Sequence, residues 1–129
     1  MKKIVCFTAL SLALLFVFAS CTANTATQPD ETAFEKTINY EVVDINGNSE
    51  PFQLKTIKGT VGEALEEAGV LAGEEGDYGL YITSVNGIIA DYNIDGTYWA
   101  FYIDGEMSMK GADQTPIEEG KVYSFKVQK

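Results

Sequence analysis

The chain has 129 residues, room for one folded domain rather than two. Nine lysines stand against nineteen acids, with no arginine and no histidine, for a formal charge of −10. That balance argues against a nucleic-acid partner, which needs a basic footprint. The lack of histidine sets aside Ser-His-Asp and Cys-His catalysis and imidazole metal ligands.

The first twenty residues read as a signal peptide. Lys2 and Lys3 form a short positive segment, and the apolar run from Ile4 to Phe18 is too short for a comfortable membrane span. It ends in Phe18-Ala19-Ser20-Cys21, small residues ahead of a cysteine, which predicts cleavage before Cys21 and a lipid on its thiol. An ordinary secretory signal with an incidental cysteine is the alternative, and Phe18 stands where such sites usually carry Leu. The lipid reading places the protein on the cell envelope, anchored to the outer face of the cytoplasmic membrane or another extracytoplasmic surface. The chain has two cysteines, Cys6 within the signal and Cys21 at the cut, so the mature part has no disulfide and no thiolate cluster. All nineteen acids follow Cys21, and their excess reads as a solvated, mutually repelling surface. A basic patch for an anionic membrane is likewise missing, so the lipid alone would hold the protein there.

Residues 21–33 are small and polar without an apolar period, as in a flexible tether. Residues 34–129 then form the predicted domain. Ile38, Tyr40 and Val42 alternate with polar residues, Asn46-Gly47 offers a turn, and Phe52, Leu54 and Thr56 alternate on a second strand. Thr60-Val61-Gly62-Glu63 is a capping box. Val61, Ala64, Leu65 and Ala68 fall on one helical face, and Gly69 suits the left-handed residue that ends a short helix. Such a helix must be held by packing on a sheet. Glu74, Glu75 and Asp77 read as a solvated loop. Tyr81, Thr83 and Val85 are expected on one strand face, Asn86-Gly87 turns into Ile88-Ile89-Ala90, and Tyr98 to Ile103 is a strand ending in Asp104-Gly105. Glu118-Glu119-Gly120 leads into a last strand with Val122, Tyr123, Phe125 and Val127. The order predicts a β-grasp-like α+β domain, in which hairpins and one short helix pack on a mostly antiparallel sheet.

No phosphate-cradling glycine motif is present, and no thiol nucleophile survives maturation. Asp91, Asp95 and Asp104 could be imagined as paired carboxylates or calcium ligands, but each stands beside a turn, where Asp bonds its own backbone. The reading is a protein with no catalytic residues, no metal site and no covalent cofactor. The aromatic strand stands apart. Alternation sends Trp99 and Phe101 to one face and Tyr98, Ala100 and Tyr102 to the other. Either both faces are buried, which a small core would require, or one leaves flat rings open to a flat, largely apolar ligand.

In order, the last fifty or so residues read Gly-x-Tyr-Ile-Thr-Ser-Val-Asn-Gly from Gly79, then Tyr-Trp-x-Phe-Tyr-x-Asp-Gly-Glu from Tyr98, then Glu-Gly ahead of the final strand. This pattern resembles the small C-terminal domain of the transcobalamin and intrinsic factor family and the bacterial DUF4430 domain. Thr60-Val61-x-Glu63-Ala64-Leu65 extends the likeness to the helix through its Val-x-x-Leu signature. The resemblance implies a ligand-binding module with a corrinoid, cobalamin-like molecule as candidate ligand. It implies contacts at Trp99, Ala100 and Phe101, with Tyr98 and Tyr102 beside them and Gly111 at a rim. Animal members hold their vitamin between this domain and a helical barrel that this sequence lacks. An open shelf and a partner protein completing the site are therefore expected. An envelope module that meets a protein or a glycan is the other reading.

Overall fold

Turns and caps divide the chain into short elements that one face of a sheet gathers. The computed structural model describes residues 34–129; the expected signal, the expected lipid site at Cys21 and the expected tether lie outside them. The strands are β1 (Lys36–Val43), β2 (Ser49–Thr56), β3 (Leu71–Gly76), β4 (Gly79–Val85), β5 (Ile88–Ile89), β6 (Tyr98–Ile103), β7 (Glu106–Met107) and β8 (Val122–Gln128). Helix α1 spans Val61–Glu67, α2 spans Tyr92–Asp95, and a 3-10 turn covers Ala112–Gln114.

Five strands make the larger sheet in the order β2-β1-β8-β6-β7, and β3-β4-β5 make a second, antiparallel sheet. Only β1 and β8 run parallel in the larger sheet. Register lines up Tyr40 with Tyr123, Val42 with Phe125, Phe101 with Phe125 and Trp99 with Val127, so one face is apolar from β1 through β6. Val61, Ala64 and Leu65 of α1, with Leu71, Ile82 and Val85 of the second sheet, join that face in one core. The α+β reading holds: one short helix, capped as expected, on a mostly antiparallel sheet. Thr60 accepts from the Glu63 backbone N–H at 3.2 Å while the Glu63 carboxylate accepts from the Thr60 N–H at 3.3 Å. Gly69 follows the helix at φ +74°, where a side chain would be strained.

Two expectations are corrected. Glu74 and Glu75 belong to β3, paired with Tyr81 and Leu80, rather than to a loop. Tyr81, Thr83 and Val85 do not share a face, because the β3–β4 register shifts at Ala72/Gly73 and leaves Thr83 as an extra residue. Ile82 and Val85 therefore point inward while Tyr81 is exposed. The Asn46-Gly47 turn between β1 and β2 is in place, with Gly47 at φ +90°. That loop is held by Asp44, whose carboxylate accepts from the backbone N–H groups of Asn46 and Asn48.

Candidate functional site

The site grows from β6. Asp91 caps α2 by accepting from the Asn93 N–H at 2.9 Å, and Gly96 ends it at φ +77°. The Asp95 carboxylate then accepts from the Thr97 N–H at 2.9 Å, which starts β6. β6 is zipped to β8 along its whole length, but β7 pairs only with Tyr102 and Ile103. One more bond, from the Ser108 N–H to the Phe101 carbonyl at 2.9 Å, follows on that side. From Tyr98 to Phe101 the β7 side of β6 has no strand partner among the described residues.

An open cavity of about 540 Å³ occupies this side of the strand. It is lined by the buried Trp99 and Phe101 and the exposed Tyr98 of β6, Leu80 to Ile82 of β4, Tyr92 and Asn93 of α2, and Gly111 and Ala112 beside the 3-10 turn. Trp99 and Phe101 are each 8% exposed, so they belong to the core and to the cavity at once. The Phe101 ring stacks on Phe125 at 5.0 Å and lies parallel to Tyr123 at 6.2 Å. Tyr81, Tyr92 and Tyr98 are exposed around the mouth. None of the lining side chains is charged.

The glycine rim follows from a close approach. A Cβ on Gly62 would stand 2.5 Å from the Asp113 Cα, and one on Gly111 2.5 Å from Asp113 Oδ1. Glycine at 62 lets α1 approach the 3-10 turn, and glycine at 111 leaves room for the Asp113 carboxylate within that turn. Two buried polar side-chain atoms have no hydrogen-bond partner among the described residues, Trp99 Nε1 and Asp113 Oδ1. Trp99 lines this cavity; Asp113 does not, its Oδ1 lying close behind Gly111.

Of the residues singled out by sequence, Tyr98, Trp99, Phe101 and Gly111 are brought together at the cavity. Ala100 is buried on the opposite face beside Lys126. Tyr102 is also on that face, with the Lys126 ammonium 4.7 Å from its ring centre. Neither lines the cavity. Cys21 lies outside the described residues. The lining from Leu80 to Ile82 and at Tyr92 and Asn93 was not read from sequence. The Asp91 cap and Gly96 were the signal that could have shown α2. Asp91, Asp95 and Asp104 act at turns, Asp104 by accepting from the Val122 N–H at 2.9 Å.

On the outer face of the larger sheet, the Glu41 carboxyl is held below its ordinary range. The Ser49 hydroxyl is the main cause and the Ser124 hydroxyl the next, the latter donating at 2.7 Å, with Lys126 adding a smaller part. Burial pushes the Tyr40 phenol up.

Solved structures share this fold, and two of them are informative. One is a protein of Ruminococcus gnavus ATCC 29149 described as a "putative metal binding protein", 31% identical, with a TM-score of 0.67 over 73% of this chain and 97% of that one. The other is haptocorrin, of the transcobalamin family, in complex with Cbi. It is 24% identical, with a TM-score of 0.61 over 84% of this chain. This chain spans 27% of haptocorrin's length. No curated protein matches the chain. No group of three or more His, Cys, Asp or Glu among the described residues could hold a metal ion. Residues 59–129 match the family described as "Domain of unknown function (DUF4430)". From the capping box through the aromatic strand to the last strand, then, the chain belongs to the DUF4430 family.

Proposed function

We propose that this protein is a non-catalytic, envelope-tethered module that binds a flat, largely apolar ligand in the β6 cavity, with a corrinoid as the leading candidate. The observation that carries the reading is the cavity itself: about 540 Å³ of open space lined by Trp99 and Phe101 among uncharged residues. Aromatic linings with few polar groups suit a planar ligand. The fold shared with haptocorrin, solved with Cbi, supports a corrinoid. An open cavity cannot bury most of such a ligand, so affinity is modest until a partner protein closes over the mouth. A lipid on Cys21 would hold the module at an extracytoplasmic membrane surface.

Trp99 is the chain's one tryptophan, so its emission reports on the cavity lining alone. Titration of the full chain with a corrinoid should quench that emission saturably, and titration with glycans should not. Three exposed tyrosines at the mouth favour a second reading, an envelope module that meets a protein or glycan. Saturable quenching by a glycan and none by the corrinoid would establish that reading in place of the first.

A further inference from the structure

Two strands leave part of an edge unpaired, and both unpaired stretches line one cavity. β7 pairs only with Tyr102 and Ile103, and beyond it the Ser108 N–H reaches the Phe101 carbonyl. Backbone groups in an antiparallel ladder alternate sides residue by residue, so Trp99 faces the same way as Phe101, away from β8. On that side the Phe101 N–H and the N–H and carbonyl of Trp99 have no strand partner among the described residues. β5 likewise pairs only with Ser84 and Val85 of β4, so Gly79 to Ile82 are paired on the β3 side alone. Trp99, Phe101 and Leu80 to Ile82 all line the cavity. An open edge is a template for another strand, and charge or proline ordinarily blunts it. The β2 edge has Glu50, Pro51 and Lys55 for this; β6 from Tyr98 to Phe101 has neither charge nor proline.

We propose that this cavity takes an extended, positively charged segment of a partner protein, which adds as a strand to the open β6 edge. The inference goes beyond the flat-ligand reading above and does not depend on it; the two occupants would exclude each other. The free groups of Trp99 and Phe101 recur at strand spacing, about 7 Å for each two residues. An extended backbone repeats its own donors and acceptors at that interval, whereas a flat ring does not. Apolar side chains of the segment would fall on the face that carries Trp99 and Phe101. Charge selects the partner. Glu74 and Glu75 stand opposite the lining residues of β4, Asp95 ends α2 and Glu106 starts β7, all four exposed. Against them stand Lys110 and Lys129, the latter near Asp95. A cationic segment is drawn to such a surround. A second copy of this chain, with nineteen acids to nine lysines, is repelled.

The probe is a capped heptapeptide of alternating valine and threonine with a lysine at each end, titrated into the isotope-labelled full chain. The amide proton signals of Trp99 and Phe101 should move downfield as it saturates the site. Those of Ala100 and Tyr102, which face β8, should move much less. The same peptide methylated on every backbone nitrogen should bind roughly tenfold more weakly or worse. A form with glutamate in place of the lysines should bind roughly threefold more weakly at low salt. Glu106→Lys, an exposed change, should narrow that difference. No shift with any peptide, shifts that do not alternate along β6, or equal affinity of the native and methylated peptides overturns strand addition. Equal affinity of the lysine and glutamate forms overturns the cationic partner. Dicyanocobinamide, titrated separately, keeps the two readings apart. Quenching of Trp99 by it in a chain that binds no peptide overturns this inference and leaves the ligand reading standing. Peptide binding without that quenching supports this inference and removes the corrinoid.

Discussion

Trp99 holds two positions at once, and its substitution should separate them from its neighbours. The ring is buried in the core beside Val127 and also lines the cavity. Trp99→Ala should therefore lower stability by about 3–5 kcal/mol, read by urea unfolding. Tyr92 is exposed and lines the same cavity from α2. Tyr92→Ala should leave the melting temperature within about a degree or two, as for a surface change, while weakening corrinoid binding measured by titration. A melting temperature that falls as far for Tyr92→Ala as for Trp99→Ala would place Tyr92 in the core instead. Glu41 gives the pH prediction at this scale. Its folded carboxyl ionises at lower pH than an unfolded one, chiefly through Ser49 and then Ser124. The stability it contributes is present above the unfolded value and is lost as pH falls through the folded one. Glu41→Gln should thus destabilise the protein near neutrality and flatten the acid limb of its stability curve, measured by thermal melts across the acid range.

The elements that shape the cavity do so through two short contacts. α1 has seven residues, too few to persist alone, and is held by its cap and its buried face. Val61 and Leu65 are fully buried there. Leu65→Ala should cost about 2–5 kcal/mol, and Thr60→Ala, which removes the cap, about 1 kcal/mol, both read by chemical unfolding. The other contact is the approach of α1 to the 3-10 turn at Gly62. A methyl there would meet the Asp113 backbone at 2.5 Å, and backbone cannot turn aside as a side chain can. Gly62→Ala should shift the Gly111 rim and lower both stability and binding, whereas Ala at Gly87, where a Cβ meets nothing within 4 Å, should change stability only through its turn. Comparable losses of binding in the two variants would show that the rim does not depend on that approach.

For the whole molecule, the acid excess and the open β6 cavity set how it would work at a surface. Nineteen acids give repulsion between copies and solubility. The β2 edge of the larger sheet carries Glu50, Pro51 and Lys55, residues that discourage edge-to-edge pairing. The free side of β6 is different, because it is apolar and leads into the cavity. In the function proposed above, a lipid on Cys21 would hold the domain near a membrane. Cys21→Ala should move the protein out of the membrane fraction or leave its leader uncut, and mass analysis of the mature N-terminus should show an acylated cysteine in the wild type. A free, unmodified N-terminus would refute the anchor.

What the sequence determined by itself was local. The Thr60–Glu63 box, Gly69 and the hairpin signals at Asn86-Gly87 and Asp104-Gly105 act within a few residues, and each is found in place, with φ of +49° and +50° at Asn86 and Asp104. Alternation along β6 likewise told which of its side chains share a face, because strand geometry has a period of two whatever the strand packs on. Tertiary structure decided which face was the core and what stood opposite it. β1 and β8, from opposite ends of the domain, pair in parallel and carry Tyr40, Tyr123 and Phe125 to the Trp99 side. A register shift opposite Ala72 turns Ile82 inward and Tyr81 out, and α2 brings Tyr92 over the same gap. The cavity is assembled from β4, α2, β6 and the 3-10 turn, segments up to some thirty residues apart. No local pattern encodes such a meeting, since it depends on where β7 stops pairing and on how closely glycine lets α1 approach Asp113.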